Sequence, residues 1–270
     1  MVTAAATHSS CHSAGVRVSL EARDVLLFGD LYRHRVLSVL WLARVRFGGS
    51  VRAARERLRK LKLTGYVEQV RLTRGEYLGY RLSAKGRRAL GITKRPRPRA
   101  ESGLFWHAAH AMTVAELADF VGRRVPAGWG LTWLTEQELC DGAAADWLPA
   151  GGMPDGVLEL RNSAGELHRM AIEVELHEKQ PGRYVSRLAW YKALLAGGAL
   201  ERVRWYVPSH RVGDAVGRAL AAAGIAVGTQ AEVRLIDQAA VLVYGSARTV
   251  QAAYATDAGE SSPTGATGSS

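Results

Sequence analysis

The sequence has few of the features that mark secreted, metal-stapled or membrane proteins. Its only two cysteines, Cys11 and Cys140, are too far apart for a metal-ligand spacing, which argues against a zinc site or a disulfide framework and fits a reducing cytoplasm. No apolar run approaches the roughly 20 residues that a membrane-spanning helix needs, and residues 1–14 lack the basic-then-apolar order of a signal peptide. A glycine-rich phosphate loop is also missing, so nothing supports ATP-driven chemistry. We therefore predict a cytoplasmic protein with no membrane partner.

Acidic residues are scarce in one third of the chain. Residues 17–100 contain 22 of the 36 Lys and Arg residues but only 6 of the 25 Asp and Glu residues. The remaining positions are net acidic, so a general preference for arginine does not explain the excess. A segment this basic needs a polyanionic partner, and double-stranded DNA is the one we expect.

The 270 residues are enough for two domains, and composition suggests where these divide. Small polar residues predict disordered tails at 1–18 and 251–270. Prolines alternating with basic residues predict a linker at 93–102. The two predicted domains are therefore 19–92 and 103–250.

The first predicted domain has the element order of a winged helix-turn-helix. Hydrophobic spacing predicts helices at 21–32, 35–45 and 51–63, strands at 66–71 and 77–82 around a hairpin turn at 73–76, and a helix at 84–90. Ser50 and Ser83 are expected to cap the helices that follow them. In this arrangement the helix before the hairpin enters the major groove of DNA.

That helix carries the predicted DNA-binding residues. They are Arg52, Arg55, Arg57, Arg59, Lys60 and Lys62, joined by Arg74 in the hairpin turn. Six cations opposed only by Glu56 would repel one another without an anionic partner. The alternatives are that these charged side chains form a solvated helix face, or that the domain binds another protein.

The second predicted domain is α/β, with helices covering a mixed sheet. The pattern predicts helices at 104–125, 183–195 and 212–223, and strands at 130–134, 157–160, 169–176, 203–207 and 233–236. The order is α-β-β-β-α-β-α-β.

Three carboxylates stand close to the middle strands of this sheet. Asp155 lies in a Met-Pro-Asp-Gly run, whereas Glu173 and Glu175 are two residues apart on one strand and so share a face. Charges on an apolar sheet are costly unless they are solvated, paired or coordinating a cation. Asp155, Glu173 and Glu175 are therefore predicted as ligands for Mg²⁺ and as catalytic residues.

The motif order resembles the PD-(D/E)XK nuclease superfamily, a restriction-endonuclease-like αβββαβ fold. That resemblance implies metal-assisted phosphodiester hydrolysis, but the superfamily places Lys where this chain has Glu175. The missing function would have to move to Arg187 or Lys192 on the next helix, or to Lys179.

The combination of motifs also resembles the replication-relaxation family of mobile-element proteins over residues 20–207. The residues that carry this resemblance are His110, Met112, Val114, Trp133, Glu136, the Pro-Asp-Gly run, the Ile-Glu-Val-Glu run, Arg187 and Tyr191. It implies a role in plasmid replication and DNA relaxation, similarity to relaxases of mobilisable plasmids, and an acid as the regular residue at 175. Arg187 stands where the family commonly has Lys, and it can clamp a phosphate but not donate a proton at neutral pH.

Two functions stay open. One is a DNA-processing protein of a mobile element, acting in replication, relaxation or mobilisation and nicking DNA with Mg²⁺. The other is a non-enzymatic transcription or copy-number regulator with a degenerate nuclease fold. Either would take a second copy of the chain, or other mobile-element proteins, as further partners. We interpret Tyr191 as a packed aromatic, His110 as a structural residue and Glu136 as the start of a surface turn.

Overall fold

The computed structural model describes residues 18–71, 78–93, 104–180, 182–237 and 241, and shows a mixed α/β protein with two sheets. We call residues 18–93 the first unit and the chain from residue 104 onward the second unit. The predicted tails, most of the predicted linker and the hairpin turn with Arg74 lie outside the described residues.

The first unit contains three helices followed by two longer strands and a short helix. Its elements are α1 (Ala22–His34), β1 (Leu37–Ser38), α2 (Val39–Arg46), α3 (Val51–Leu63), β2 (Val67–Arg71), β3 (Leu78–Leu82) and α4 (Ala84–Ala89). The strands form an antiparallel sheet in the order β1-β3-β2. Ser50 and Ser83 accept hydrogen bonds from Ala53 N and Gly86 N, which confirms both predicted caps.

The short strand β1 was not predicted, because the sequence pattern placed residues 35–38 in a helix. Arg35 ends α1 with a φ of 66°, a left-handed conformation that is costly for a residue with a side chain. Leu37 and Ser38 then pair with Tyr80 and Gly79 of β3. The Ser38 hydroxyl accepts from Trp41 N at 3.0 Å and so starts α2 four residues later than predicted.

The second unit follows the predicted order, with one additional helix. Its elements are α5 (Leu104–Gly122), β4 (Gly130–Thr135), α6 (Glu136–Cys140), β5 (Gly156–Arg161), β6 (Leu167–Val174), α7 (Gly182–Ala196), β7 (Arg202–Val207), α8 (His210–Ala222) and β8 (Ala231–Leu235). The sheet order is β4-β5-β6-β7-β8, with antiparallel pairs up to β6 and parallel pairs beyond it. Residues of α7 and α8 cover one face and residues of α5 cover the other.

The additional helix α6 replaces the surface turn that we predicted at Glu136. Thr135 and Glu138 form a reciprocal capping box, in which each side chain accepts from the backbone N–H of the other. This Thr-x-x-Glu signature is visible in the sequence, so a local signal for the helix was available.

Helix α5 of the second unit packs against both units. Val114 and Leu117 pack on the sheet of the second unit, whereas Ala115 lies in the core of the first. Met112 packs with Val70 of β2 in a smaller cluster. The two hydrophobic cores therefore meet on one helix. Among the described residues no helix is both long and apolar enough to cross a membrane.

Hydrogen bonds and ion pairs also join the units. Arg33 pairs with Glu138 at 2.8 Å, and Arg35 pairs with Glu136 at 3.0 Å. On α2, Arg44 reaches the buried Glu116 of α5 at 2.7 Å. Exposed ion pairs contribute little singly, but the bond to Glu116 satisfies a carboxylate that is 3% exposed.

Gly156 offers a test of the packing at the start of β5. A Cβ at this position would lie 2.8 Å from three atoms of the Trp133 indole, which is 7% exposed. We expect Gly156→Ala to lower the free energy of unfolding by about 2 kcal/mol, because the ring has little room to move. Urea denaturation measures this change. The control is Gly217→Ala in α8, where no atom lies within 4 Å, and it should be neutral or slightly stabilising. Equal effects of the two substitutions would contradict the prediction.

Candidate functional site

Asp155 and Glu173 come together where β5 begins and β6 ends. Gly156 pairs with Ile172 in the antiparallel register, so Asp155 stands beside Glu173. The backbone N–H of Val174 donates to Asp155 Oδ2 at 2.8 Å and fixes the carboxylate there. We call Asp155, Glu173, His110, Arg187 and Tyr191 the acidic centre.

Glu173 is held by two side chains of α7. Arg187 Nη1 donates to both carboxylate oxygens at 2.5 Å, and Tyr191 donates to Oε1. Arg187 Nη2 also donates to the carbonyl of Met153 at 3.0 Å. Tyr191 has 0% exposure and packs against Trp190 and Trp205, which confirms its interpretation as a packed aromatic.

Asp155 is held from the opposite face of the sheet by His110 of α5. His110 Nε2 lies 3.2 Å from Asp155 Oδ2 and 2.9 Å from the carbonyl oxygen of Val174. A carbonyl oxygen only accepts, so Nε2 carries the proton. The α5 and α7 helices thus each supply a basic side chain to one carboxylate of the centre.

The pKa values of the two carboxylates shift in opposite directions. Burial raises the pKa of Glu173, and the negative charge of Asp155 adds to this effect, bringing it to about 7 despite Arg187. Burial opposes the ionisation of Asp155, but the charge and hydrogen bond of His110 outweigh it and lower the pKa of Asp155. Burial disfavours the charged form of His110 too, yet Asp155 raises its pKa to about 9. Burial and Glu173 raise the pKa of Tyr191 well above the ordinary value.

The other predicted catalytic residues lie apart from this arrangement. Glu175 is 4% exposed and pairs with Lys179 at 2.6 Å. Lys192 donates to the carbonyl of Ala223 at the end of α8. Of the two predicted replacements for the superfamily lysine on α7, only Arg187 contacts a carboxylate of the centre.

The predicted Mg²⁺ ligands do not fit a divalent cation as they are arranged. Both oxygens of Glu173 accept from Arg187, Asp155 Oδ2 accepts from the Val174 N–H, and Glu175 pairs with Lys179. A cation ligand needs oxygen lone pairs that face the ion without a competing cation between them. Within the described ranges, no group of three or more His, Cys, Asp and Glu side chains is suitably placed to hold a metal ion.

A cavity of about 170 Å³ lies between the first unit and the acidic centre. Its walls come from the end of α1 and the residues after it, from β2 and β3, from α5, and from Thr135, Glu136 and Asp155. Both His110 and Asp155 line it, with side chains 32% and 13% exposed, so a ligand in this cavity can reach the His110–Asp155 pair.

The predicted DNA-binding residues of α3 divide into two groups. Arg52, Arg55, Arg59 and Lys62 are exposed, and their 3-4-3 spacing places them along one side of the helix, which we call the basic stripe. Arg57 is not part of it, because its guanidinium binds the fully buried Asp24 and the carbonyl of Ser19. Lys60 pairs with Glu56 at 2.9 Å.

His110 is the residue of the acidic centre whose partner could not be predicted from the sequence. We interpreted it as structural, since a lone histidine on an apolar helix gives no local sign of a partner 45 positions away. The available signal was its place in the set of residues that carried the family resemblance.

A model of the replication-relaxation family matches residues 28–208. The chain belongs to this family. No curated protein and no solved structure matches the chain. The matched range begins within α1 and ends just after β7, so the replication-relaxation region includes the basic stripe, the interunit contacts and the whole acidic centre.

The stability of this replication-relaxation protein should fall as the pH rises from 6.5 to 9. The pKa of His110 is about 9 in the folded protein and 6.5 ordinarily, so its pair with Asp155 stabilises fully below pH 6.5 and is lost as the pH passes 9. Glu173, with a pKa raised from 4.5 to about 7, acts in the same direction at lower pH. We expect His110 to account for a loss of about 2 kcal/mol in the free energy of unfolding over this pH interval, a value that already allows for solvent screening.

Urea denaturation at several pH values between 6 and 9.5 tests this expectation. The His110→Gln variant keeps a hydrogen-bonding side chain but has no titrating ring, so its stability should decline less over this interval. Parallel curves for the two proteins would contradict the assignment of a charged His110–Asp155 pair.

Proposed function

We propose that this protein binds duplex DNA through its first unit and acts in the replication, relaxation or mobilisation of a plasmid or other mobile element. The basic stripe on α3 is the observation that carries the proposal. Four cationic side chains point outward from one side of a helix that is followed directly by antiparallel strands. Membership of the replication-relaxation family supports the biological setting.

In this proposal the first unit is a winged helix-turn-helix. Helix α3 enters the major groove, and the connection between β2 and β3 is the wing that contacts the neighbouring backbone. Arginine suits this position because its forked donors match phosphate oxygens and the edge of guanine. Leu58 and Leu61 of the same helix are fully buried in the core, and this packing holds the helix that carries the stripe in place.

Binding to a fluorescent duplex of about 25 base pairs at several salt concentrations tests the proposal. The logarithm of the affinity should fall linearly with the logarithm of the salt concentration, with a slope of about −3.6 if four phosphates are neutralised. An affinity that does not change with salt concentration, or no binding at about 50 mM salt, would contradict the proposed function.

Metal-assisted nicking by the second unit is a second candidate, favoured by the meeting of Asp155 and Glu173 beside a basic side chain. We infer that such chemistry requires a rearrangement, since Arg187 would first have to release Glu173 before that carboxylate could face a cation. The same contacts favour the non-enzymatic regulator, in which the acidic centre stabilises a nuclease-like fold.

Incubation of a supercoiled plasmid with Mg²⁺ or Mn²⁺ separates the two candidates for the second unit. Nicking that is lost in Asp155→Ala and in Glu173→Ala would support a nuclease. Asp214→Ala is the matched control, because it removes an exposed carboxylate of α8 that lies outside the acidic centre, and it should leave nicking unchanged. Intact duplex binding without nicking would support the regulator.

A further inference from the structure

Three arginines meet around one glutamate on the strands β7 and β8 of the second unit. Arg204 Nε and Arg234 Nε each donate to Glu232 Oε2 at 2.8 Å, and Arg202 donates to the other carboxylate oxygen. We call these four residues the arginine cluster. Three guanidiniums against one carboxylate leave two positive charges that no member of the cluster balances.

The arginine cluster keeps this excess charge throughout the neutral pH range. Burial would raise the pKa of Glu232, but the hydrogen bonds and charges of the three arginines lower it to about 2. Arginine itself does not lose its proton in proteins. A guanidinium has five N–H donors, so one bond to Glu232 does not exhaust it. The cluster therefore offers both charge and hydrogen-bond donors to a further anion.

The alternation of side chains along β7 determines the face to which the arginine cluster points. Val203 and Trp205, which alternate with the arginines of this strand, belong to the core formed with α7 and α8. The arginines therefore point to the opposite face, which α5 covers. Glu232 lies opposite Arg204 in the parallel register, and Arg234 follows two residues later, so both share that face.

The first unit lies on the same side of this sheet. Helix α5 packs on the sheet through Val114 and Leu117, whereas Ala115 lies in the core of the first unit. Helix α8, with the exposed Arg211 and Arg218, covers the other side. A duplex of about 25 base pairs is about 85 Å long, whereas the 13 residues of α3 span only about 20 Å. DNA bound by the first unit thus extends well beyond α3.

We propose that the arginine cluster is a second DNA-contact surface, which binds the phosphate backbone of the duplex held by the basic stripe. The forked donors of arginine match phosphate oxygens, and such contacts position a duplex without reading its sequence. The inference rests on the proposed DNA binding. It gives the second unit a part in that binding which requires neither a metal ion nor cleavage.

Fluorescence anisotropy with a duplex of about 40 base pairs tests the inference. The Arg202→Gln/Arg234→Gln variant removes two positive charges and leaves Arg204 to hold Glu232. We expect the dissociation constant at about 100 mM salt to rise about tenfold. The magnitude of the salt slope should fall by about 1.8, because each lost phosphate contact contributes about 0.9.

Helix α8 provides the matched control. Arg211→Gln/Arg218→Gln removes the same charge on the opposite side of the sheet, so it should leave the affinity nearly unchanged. Arg234→Gln alone, at a position where the side chain is 56% exposed, should weaken binding about threefold without loss of folding, which urea denaturation verifies. This single variant keeps the test valid if the double variant is unstable.

Hydroxyl-radical footprinting on the same duplex gives a second readout. The region protected by the wild type should extend further on one side than the region protected by Arg202→Gln/Arg234→Gln. Unchanged affinity and an unchanged footprint in the folded cluster variants, or equal losses in the α8 control, would overturn the second contact surface while duplex binding stands. No binding of the wild type at about 50 mM salt would overturn the proposed function as well.

Discussion

Replacing Arg187 with methionine is expected to lower the free energy of unfolding by about 3 kcal/mol. Glu173 is 3% exposed, and both of its oxygens accept from Arg187. Removing one partner of a buried ion pair costs about 3–5 kcal/mol, because the other charge stays buried without compensation. The lower end applies here, since the Arg187 side chain is 35% exposed and water can enter in its place.

The measurement is urea denaturation of four proteins at about pH 8.5, above the pKa of about 7 of Glu173, so that its carboxylate is ionised in the folded protein. Arg183→Met is the matched control, one turn earlier on α7 at an exposed position, and should change stability by less than about 0.5 kcal/mol. The double variant Glu173→Gln/Arg187→Met removes both charges and should recover much of the loss. A small effect of Arg187→Met, or no recovery in the double variant, would show that the pair does not stabilise the fold.

The elements that could be predicted from the sequence are those specified by local patterns. Helix α3 has apolar residues at helical spacing and a serine cap, and its bounds agree with the prediction. The alternation in β5 and β6 likewise marked both strands. Each of these signals is complete within about ten residues, so no knowledge of the rest of the fold was required.

The features that escaped prediction depend on partners distant in the chain. In the sequence Arg57 cannot be distinguished from the other arginines of α3. In the structure it binds Asp24, 33 positions earlier, and this contact holds its guanidinium away from the exposed side of the helix. Strand β1 exists only because β3 lies beside it. No periodicity within α5 could show that one of its sides packs against the first unit, since the helix is apolar nearly all round.

The same distinction applies to the candidate site. Asp155, Glu173 and Arg187, which the sequence motifs singled out, lie close together in the structure, whereas their catalytic and metal-binding roles stay predictions. Charge state does not follow from spacing. Burial raises the pKa of Glu173 to about 7, whereas His110 holds that of Asp155 below its usual range, and both effects arise from tertiary packing.

Charge reversal on the basic stripe is expected to have the largest effect on DNA binding. Arg52→Glu/Arg59→Glu places two acids on the side of α3 that we propose faces the phosphates. Each lost phosphate contact should reduce the salt slope by about 0.9, and the added repulsion should raise the dissociation constant at least about 100-fold at low salt. Stability should change little, because both positions are exposed.

Helix α8 provides a control that matches this variant closely. Arg211 and Arg218 are exposed and seven residues apart, the same separation as Arg52 and Arg59. Arg211→Glu/Arg218→Glu therefore makes an identical change in net charge on a single helix of the second unit. If DNA binding depended only on the overall positive charge, both double variants would weaken it equally. A loss confined to the α3 variant would assign the interface to the basic stripe, whereas equal losses would mean that the protein attracts DNA without a defined binding face.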